Sequence, residues 1–60
     1  MRDYEFGNRL MMLRKSQGFS QFQLGTLVGV TDKAVSKWET GAAKPKYEIL
    51  LKLASILKVD

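Results

Sequence analysis

Sixty residues carrying ten lysines and arginines against six acids give a net charge of +4 and a pI of about 9.7, enough chain for one small domain whose core must be efficient. With no cysteine and no histidine, disulfides, zinc fingers and most metal or nucleophile–base constellations are excluded, and the lack of thiols suits a reducing cytoplasm. No apolar run approaches the roughly 20 residues that span a bilayer and no charged-then-apolar leader opens the chain, so no membrane partner is expected.

A first helix is expected after Asp3, a good N-cap, with Glu5 in its first turn favoured by the helix dipole. Phe6, Leu10 and Leu13 recur at steps of four and three and make one apolar stripe. Gly18 then stops the helix. Ser20 and Gln23 have the spacing of a capping box, with Phe19 placed to staple against Leu24. This second helix carries Gly25, a cost of about 1 kcal/mol relative to alanine, which makes sense if another helix crosses there. Gly29 ends it, and a left-handed residue at that point turns the chain sharply.

Thr31 is a plausible N-cap for a third helix, with Val30 and Val35 placed for another staple. Val35 and Trp38 face inward and Gly41 closes the helix. The loop Gly41-Ala42-Ala43-Lys44-Pro45 follows, because proline disfavours helix in the residue before it. A fourth helix is expected over Tyr47–Leu57 with an inner stripe of Leu50, Leu53, Ala54 and Leu57. No stretch alternates with period two, and there are no repeats, low-complexity tracts or linkers. The expected fold is all-α, a single domain over residues 1–60 built as a bundle of four short helices, with room for a fifth.

Charge placement adds to this. Lys33, Lys37, Lys44 and Lys46 fall within fourteen residues containing one acid, Glu39. The span Gln21–Thr40 reads as two helices joined by a glycine turn, a geometry able to lay its second helix into a DNA major groove. The outer face of that helix holds Asp32, Lys33, Ser36 and Lys37.

The segment SQFQLGTLVGVTDKAVSKWETG resembles the helix-turn-helix of phage repressors and Cro proteins (XRE-type), a family that includes many bacterial regulators and antitoxins. Counting from Gln21, that pattern asks for apolar residues at the fourth, eighth, tenth, fifteenth and eighteenth places, here Leu24, Val28, Val30, Val35 and Trp38. It asks for a small residue fifth and glycine ninth, here Gly25 and Gly29. The similarity runs from about Phe6 to Val59 and includes KWETG and the KP after it.

The resemblance implies a lambda-repressor-like fold and a set of roles. Asp32, Lys33, Ser36 and Lys37 match the base-reading face; lysine can donate to guanine and aspartate can accept from cytosine. For Asp32 the alternative is plain helix stabilisation at a positive dipole end. Gln21 matches a residue that grips a phosphate while supporting the recognition helix, and Thr31, Thr40, Lys44 and Lys46 match positions touching the DNA backbone, contacts that fix register without reading sequence. Arg14 and Glu39 match a structural ion pair that pins helix one to helix three.

Three residues depart from the family pattern. Phe22 stands where a polar residue is usual, Lys46 where a serine or threonine cap is usual, and Lys58 where glycine commonly follows the fourth helix. Lys58 implies a left-handed lysine or a different exit. Asp60 would cap a fifth helix, so the chain reads as the N-terminal part of a longer regulator. Met11, Met12, Phe22, Ile49 and Ile56 exceed the apolar surface a monomer requires. Ile49 and Ile56 share a face, which leaves two readings open: a partner helix covers them, or long lysine stems do.

The function implied is sequence-specific binding of double-stranded DNA by a transcriptional regulator, a repressor, with a homodimer suiting a palindromic operator of half-sites about 34–36 Å apart. The competing reading is a protein-interaction or antitoxin module on the same fold, which has little reason to keep a lysine-bearing outer face. An enzyme is not expected, and no cofactor, metal or small-molecule ligand is implied.

Overall fold

The computed structural model describes residues 4–58. Four helices follow in order: α1 (Tyr4–Ser16), α2 (Gln21–Val28), α3 (Asp32–Thr40) and α4 (Tyr47–Leu57), with no strand among the described residues. The Asp3 and Asp60 caps lie outside them. The four-helix, all-α expectation holds; the boundaries of α2 and α3 fall where the caps put them, and α4 spans the expected Tyr47–Leu57.

The starts and stops have visible causes. The Ser20 hydroxyl accepts from the Gln23 N–H at 3.0 Å while the Gln23 side chain accepts from the Ser20 N–H at 2.8 Å, a reciprocal box. Thr31 accepts from the Ala34 N–H at 3.2 Å and starts α3. Between them the chain must reverse within three residues. Gly29 does this at φ 84°, and the Val30 N–H reaches back to the Gly25 carbonyl at 2.8 Å, satisfying an end carbonyl of α2. α4 is less well bounded: Lys46 gives it no side-chain cap, and it ends at Lys58 with φ 59° and ψ 45°. The lysine at that exit is left-handed.

α3 sits at the centre, packed against α1 and α2, and α2 also meets α4. The core is Leu10, Leu24, Val28, Val35, Trp38, Leu53 and Leu57, with Phe6, Leu13, Phe19, Val30, Ile49 and Ile56 packed around it. Each such side chain contributes roughly 1.5–3 kcal/mol on full burial. Gly25 lies against the Val30 and Thr31 backbone, 2.8 Å from the Val30 carbonyl oxygen for a Cβ built there. What crosses it is therefore the turn into α3, not the body of a helix.

The face of α4 that enters the core overlaps the expected one, with Leu53 and Leu57 buried and Ala54 half-buried, but it is shifted at its edge. Ile49, Leu53, Ile56 and Leu57 turn inward, at steps of four, three and one, while Leu50 is exposed. Both stripes of YEILLKLASIL are apolar, so periodicity could not choose between them; packing against α2 does. Neither a partner helix nor lysine stems are needed to account for Ile49 and Ile56, because the core itself half-buries them. Exposed apolar surface gathers instead at Met12, at Phe22 and Leu27 on α2, and at Tyr47, Leu50 and Leu51 on α4.

Candidate nucleic-acid interface

α3 has two sides of opposite chemistry. At 3.6 residues per turn, Asp32, Lys33, Ser36, Lys37 and Thr40 fall within an arc of about 140°, and the opposite arc holds Ala34, Val35 and Trp38. Val35 is fully enclosed and Trp38 is 6% exposed. Asp32, Lys33, Lys37 and Thr40 are exposed and Ser36 is half-buried. No hydrogen bond or ion pair ties down the side chains of Asp32, Lys33 or Lys37 among the described residues, so their charged groups are available to a ligand. The buried valine and tryptophan hold the helix from behind.

The flanking residues extend this face. Thr31 is exposed at the start of α3, with its hydroxyl oxygen accepting the Ala34 N–H and its proton still available to donate. At the other end Thr40 donates to the Lys37 carbonyl at 3.2 Å. Lys44 and Lys46 are exposed on either side of a buried Pro45, which anchors the loop. Glu39, the acid among these lysines, is turned inward and 7% exposed. From position 33 to 46 the surface therefore carries lysines and no exposed carboxylate.

Glu39 is held by Arg14. The Arg14 Nε donates to Glu39 Oε2 at 2.6 Å and Nη2 donates to Oε1 at 3.1 Å, a two-pronged contact between side chains 9% and 4% exposed. The third guanidinium nitrogen, Nη1, donates to the Phe19 carbonyl at 2.8 Å, so the same arginine ties α1, the loop before α2 and α3 together. No buried side-chain nitrogen or oxygen among the described residues is left unpartnered, the condition under which a buried pair avoids a large penalty.

Gln21, half-buried at the first position of α2, donates from Nε2 to Glu39 Oε1 at 3.0 Å. Sequence reasoning placed Gln21 at the DNA backbone and Glu39 in an ion pair but did not join them, since eighteen residues separate them and no local pattern links the two. The same holds for the Arg14 bond to Phe19. Among the described residues no group of three or more His, Cys, Asp or Glu side chains is placed to hold a metal, and no helix is long and apolar enough to cross a membrane.

Comparison with known proteins agrees with this geometry. A family model described as helix-turn-helix matches residues 10–60. The chain is 41% identical over 55 residues to the SPbeta prophage-derived HTH-type transcriptional regulator YonR of Bacillus subtilis, covering 92% of this chain and 51% of that protein. It is 38% identical over 52 residues to repressor protein C2 of Salmonella phage P22, covering 87% of this chain and 24% of the repressor. The chain thus spans about half of one of these relatives and about a quarter of the other. Its fold is similar to the crystal structure of the P22 c2 repressor in complex with a synthetic operator, at a TM-score of 0.88 and 36% identity over 92% of this chain and 83% of that one.

Proposed function

The chain belongs to the helix-turn-helix family, and on that footing we propose that it binds double-stranded DNA sequence-specifically as a transcriptional regulator, with α3 lying in the major groove. The observation that carries this reading is the two-sidedness of α3: Lys33 and Lys37 stand in solvent while Val35 and Trp38 are locked into the core. A rigid helix that presents unpaired polar side chains outward meets the requirement for reading base edges.

Asp32, Lys33, Ser36 and Lys37 read bases. Gln21, Thr31, Thr40, Lys44 and Lys46 hold the sugar–phosphate backbone on either side and set the register. Arg14 and Glu39 contact no DNA; they fix α3 relative to α1. A single copy offers a small interface, so two copies on a palindromic operator supply the affinity, with half-sites about one helical turn apart. The likeness to a phage repressor supports repression as the outcome, and the site of action is the cytoplasm, on the nucleoid.

The test is duplex binding as a function of salt. Lys44 and Lys46, each neutralising a phosphate, predict a loss of roughly tenfold in affinity per copy between 50 and 200 mM salt, and a selection from random duplexes returns a consensus sequence. Salt-independent binding, or none, would instead favour a protein-interaction module.

A further inference from the structure

We infer that Glu39 is a positioning residue for DNA binding, acting through Gln21: its buried carboxylate fixes the sense of the Gln21 amide so that an N–H, and not the carbonyl oxygen, is left to meet a DNA phosphate. The inference rests on the DNA-binding reading above and deepens it.

A glutamine amide has two faces of opposite polarity, and rotation by 180° exchanges them at little cost in water. A phosphate accepts hydrogen bonds and donates none, so the two senses are not equivalent at a DNA backbone. With oxygen outward the contact is repulsive. With nitrogen outward it is a charge-assisted hydrogen bond. Something must therefore choose the sense before DNA arrives, or the choice is made during binding at a cost in affinity.

Glu39 makes that choice. Its side chain is 4% exposed and held by two nitrogens of Arg14, so it cannot swing away. A carboxylate accepts only, and the Gln21 group it accepts from is Nε2, at 3.0 Å. The NH2 group has two hydrogens and this bond uses one, leaving the other N–H and the Oε1 with no partner among the described residues. Arg14 and Glu39 thus stabilise the fold and also preset a group at the protein–DNA boundary. A neutral residue at position 39 would hold the helices less well and would accept the amide in either sense.

The experiment is a double-mutant cycle on a duplex selected by the wild-type domain. Gln21→Met keeps the side-chain length, removes the hydrogen-bonding group and lowers affinity about tenfold, with the slope of log affinity against log salt unchanged because no charge is lost. Glu39→Gln tests the relay, but it leaves Arg14 buried without its counter-charge and can unfold so small a domain. Arg14→Met/Glu39→Leu is the second variant, since an apolar pair of similar volume replaces the ion pair. In that folded background affinity falls about threefold to tenfold, and adding Gln21→Met costs little more. A methylphosphonate scan along the duplex gives the independent readout: one neutralised phosphate weakens the wild type and leaves both Gln21→Met and Arg14→Met/Glu39→Leu indifferent.

Wild-type affinity in the folded apolar-pair variant, or an undiminished tenfold effect of Gln21→Met within it, would overturn the positioning role while leaving DNA binding intact. A wild-type domain that selects no duplex would overturn the functional reading itself, and the inference with it.

Discussion

Gly7 lies directly against the backbone of Glu39, so that a Cβ at position 7 would collide with the Glu39 carbonyl oxygen and stand 2.8 Å from that of Trp38. α1 and α3 therefore approach until backbone meets backbone, three residues before Leu10 enters the core and seven before Arg14 reaches the Glu39 side chain. The close approach sets the spacing within which the ion pair can be short.

Gly7→Ala should accordingly destabilise the domain even though alanine is the better helix former. The obstacle is backbone rather than a flexible side chain, so α1 must move as a unit, at a cost of about 1–3 kcal/mol. For a chain of this size that is a fall of at least about 4 °C in melting temperature. A thermal melt followed by circular dichroism decides it, and a melting temperature equal to or above wild type would show that the helices can part freely.

Two ion pairs in the structure should behave very differently. Glu39→Ala leaves the Arg14 guanidinium enclosed without its carboxylate, a loss of about 3–5 kcal/mol in a domain whose whole stability is of order 3–9 kcal/mol. Much of the chain should be unfolded at 37 °C. Glu5→Ala removes an i,i+4 pair at 3.7 Å between side chains 86% and 73% exposed, and after solvent screening should cost less than about 0.5 kcal/mol. Urea titrations of both variants test the contrast; equal midpoints would contradict the burial argument.

The sequence made the helices legible because their ends are chemically marked. Ser20, Thr31, Gly29 and Gly41 each act locally, so short windows sufficed. The inner face of α4 was legible at Leu53 and Leu57 but not at its edge, because Leu50 and the pair Ile49 and Ile56 each satisfy the period and only the neighbouring helix selects between them. Gly7 was legible in principle, as a glycine inside a helical stripe, but nothing local says what it touches. The polar face of α3 followed from Val35 and Trp38 fixing the opposite side. The bond from Gln21 to Glu39 is a product of the turn angle between α2 and α3, which no residue pattern encodes.

Lys58 ends α4 in the left-handed region, where a β-carbon costs roughly 1–2 kcal/mol. Lys58→Gly removes that strain and returns part of the gain as unfolded-chain entropy, so the net expectation is a stabilisation of up to about 1 kcal/mol. Lys46→Ser supplies the missing cap at the other end of the same helix and should add about 0.5–1 kcal/mol. The two sites are far apart along α4, so the double variant should show the sum of the separate gains in a denaturant titration. A loss of stability in Lys58→Gly would mean that the lysine side chain contributes more than its backbone costs.

The lysines of α3 can be separated by what their removal does to sequence preference. A lysine on a phosphate contributes alike to every duplex, so its alanine variant loses affinity uniformly and the salt slope falls by about 0.9. A lysine on a guanine contributes only where that base is present, so its variant loses about 1–3 kcal/mol on the selected sequence and tolerates substitution at one base pair. With the assigned roles, Lys33→Ala and Lys37→Ala should follow the second pattern and Lys44→Ala and Lys46→Ala the first. Asp32→Ala should tighten binding to random duplex, because a carboxylate repels phosphates, while relaxing preference at one position. Measuring each variant against both the selected and a scrambled duplex, at two salt concentrations, separates the patterns; a uniform loss from Lys33→Ala would move that residue from the bases to the backbone.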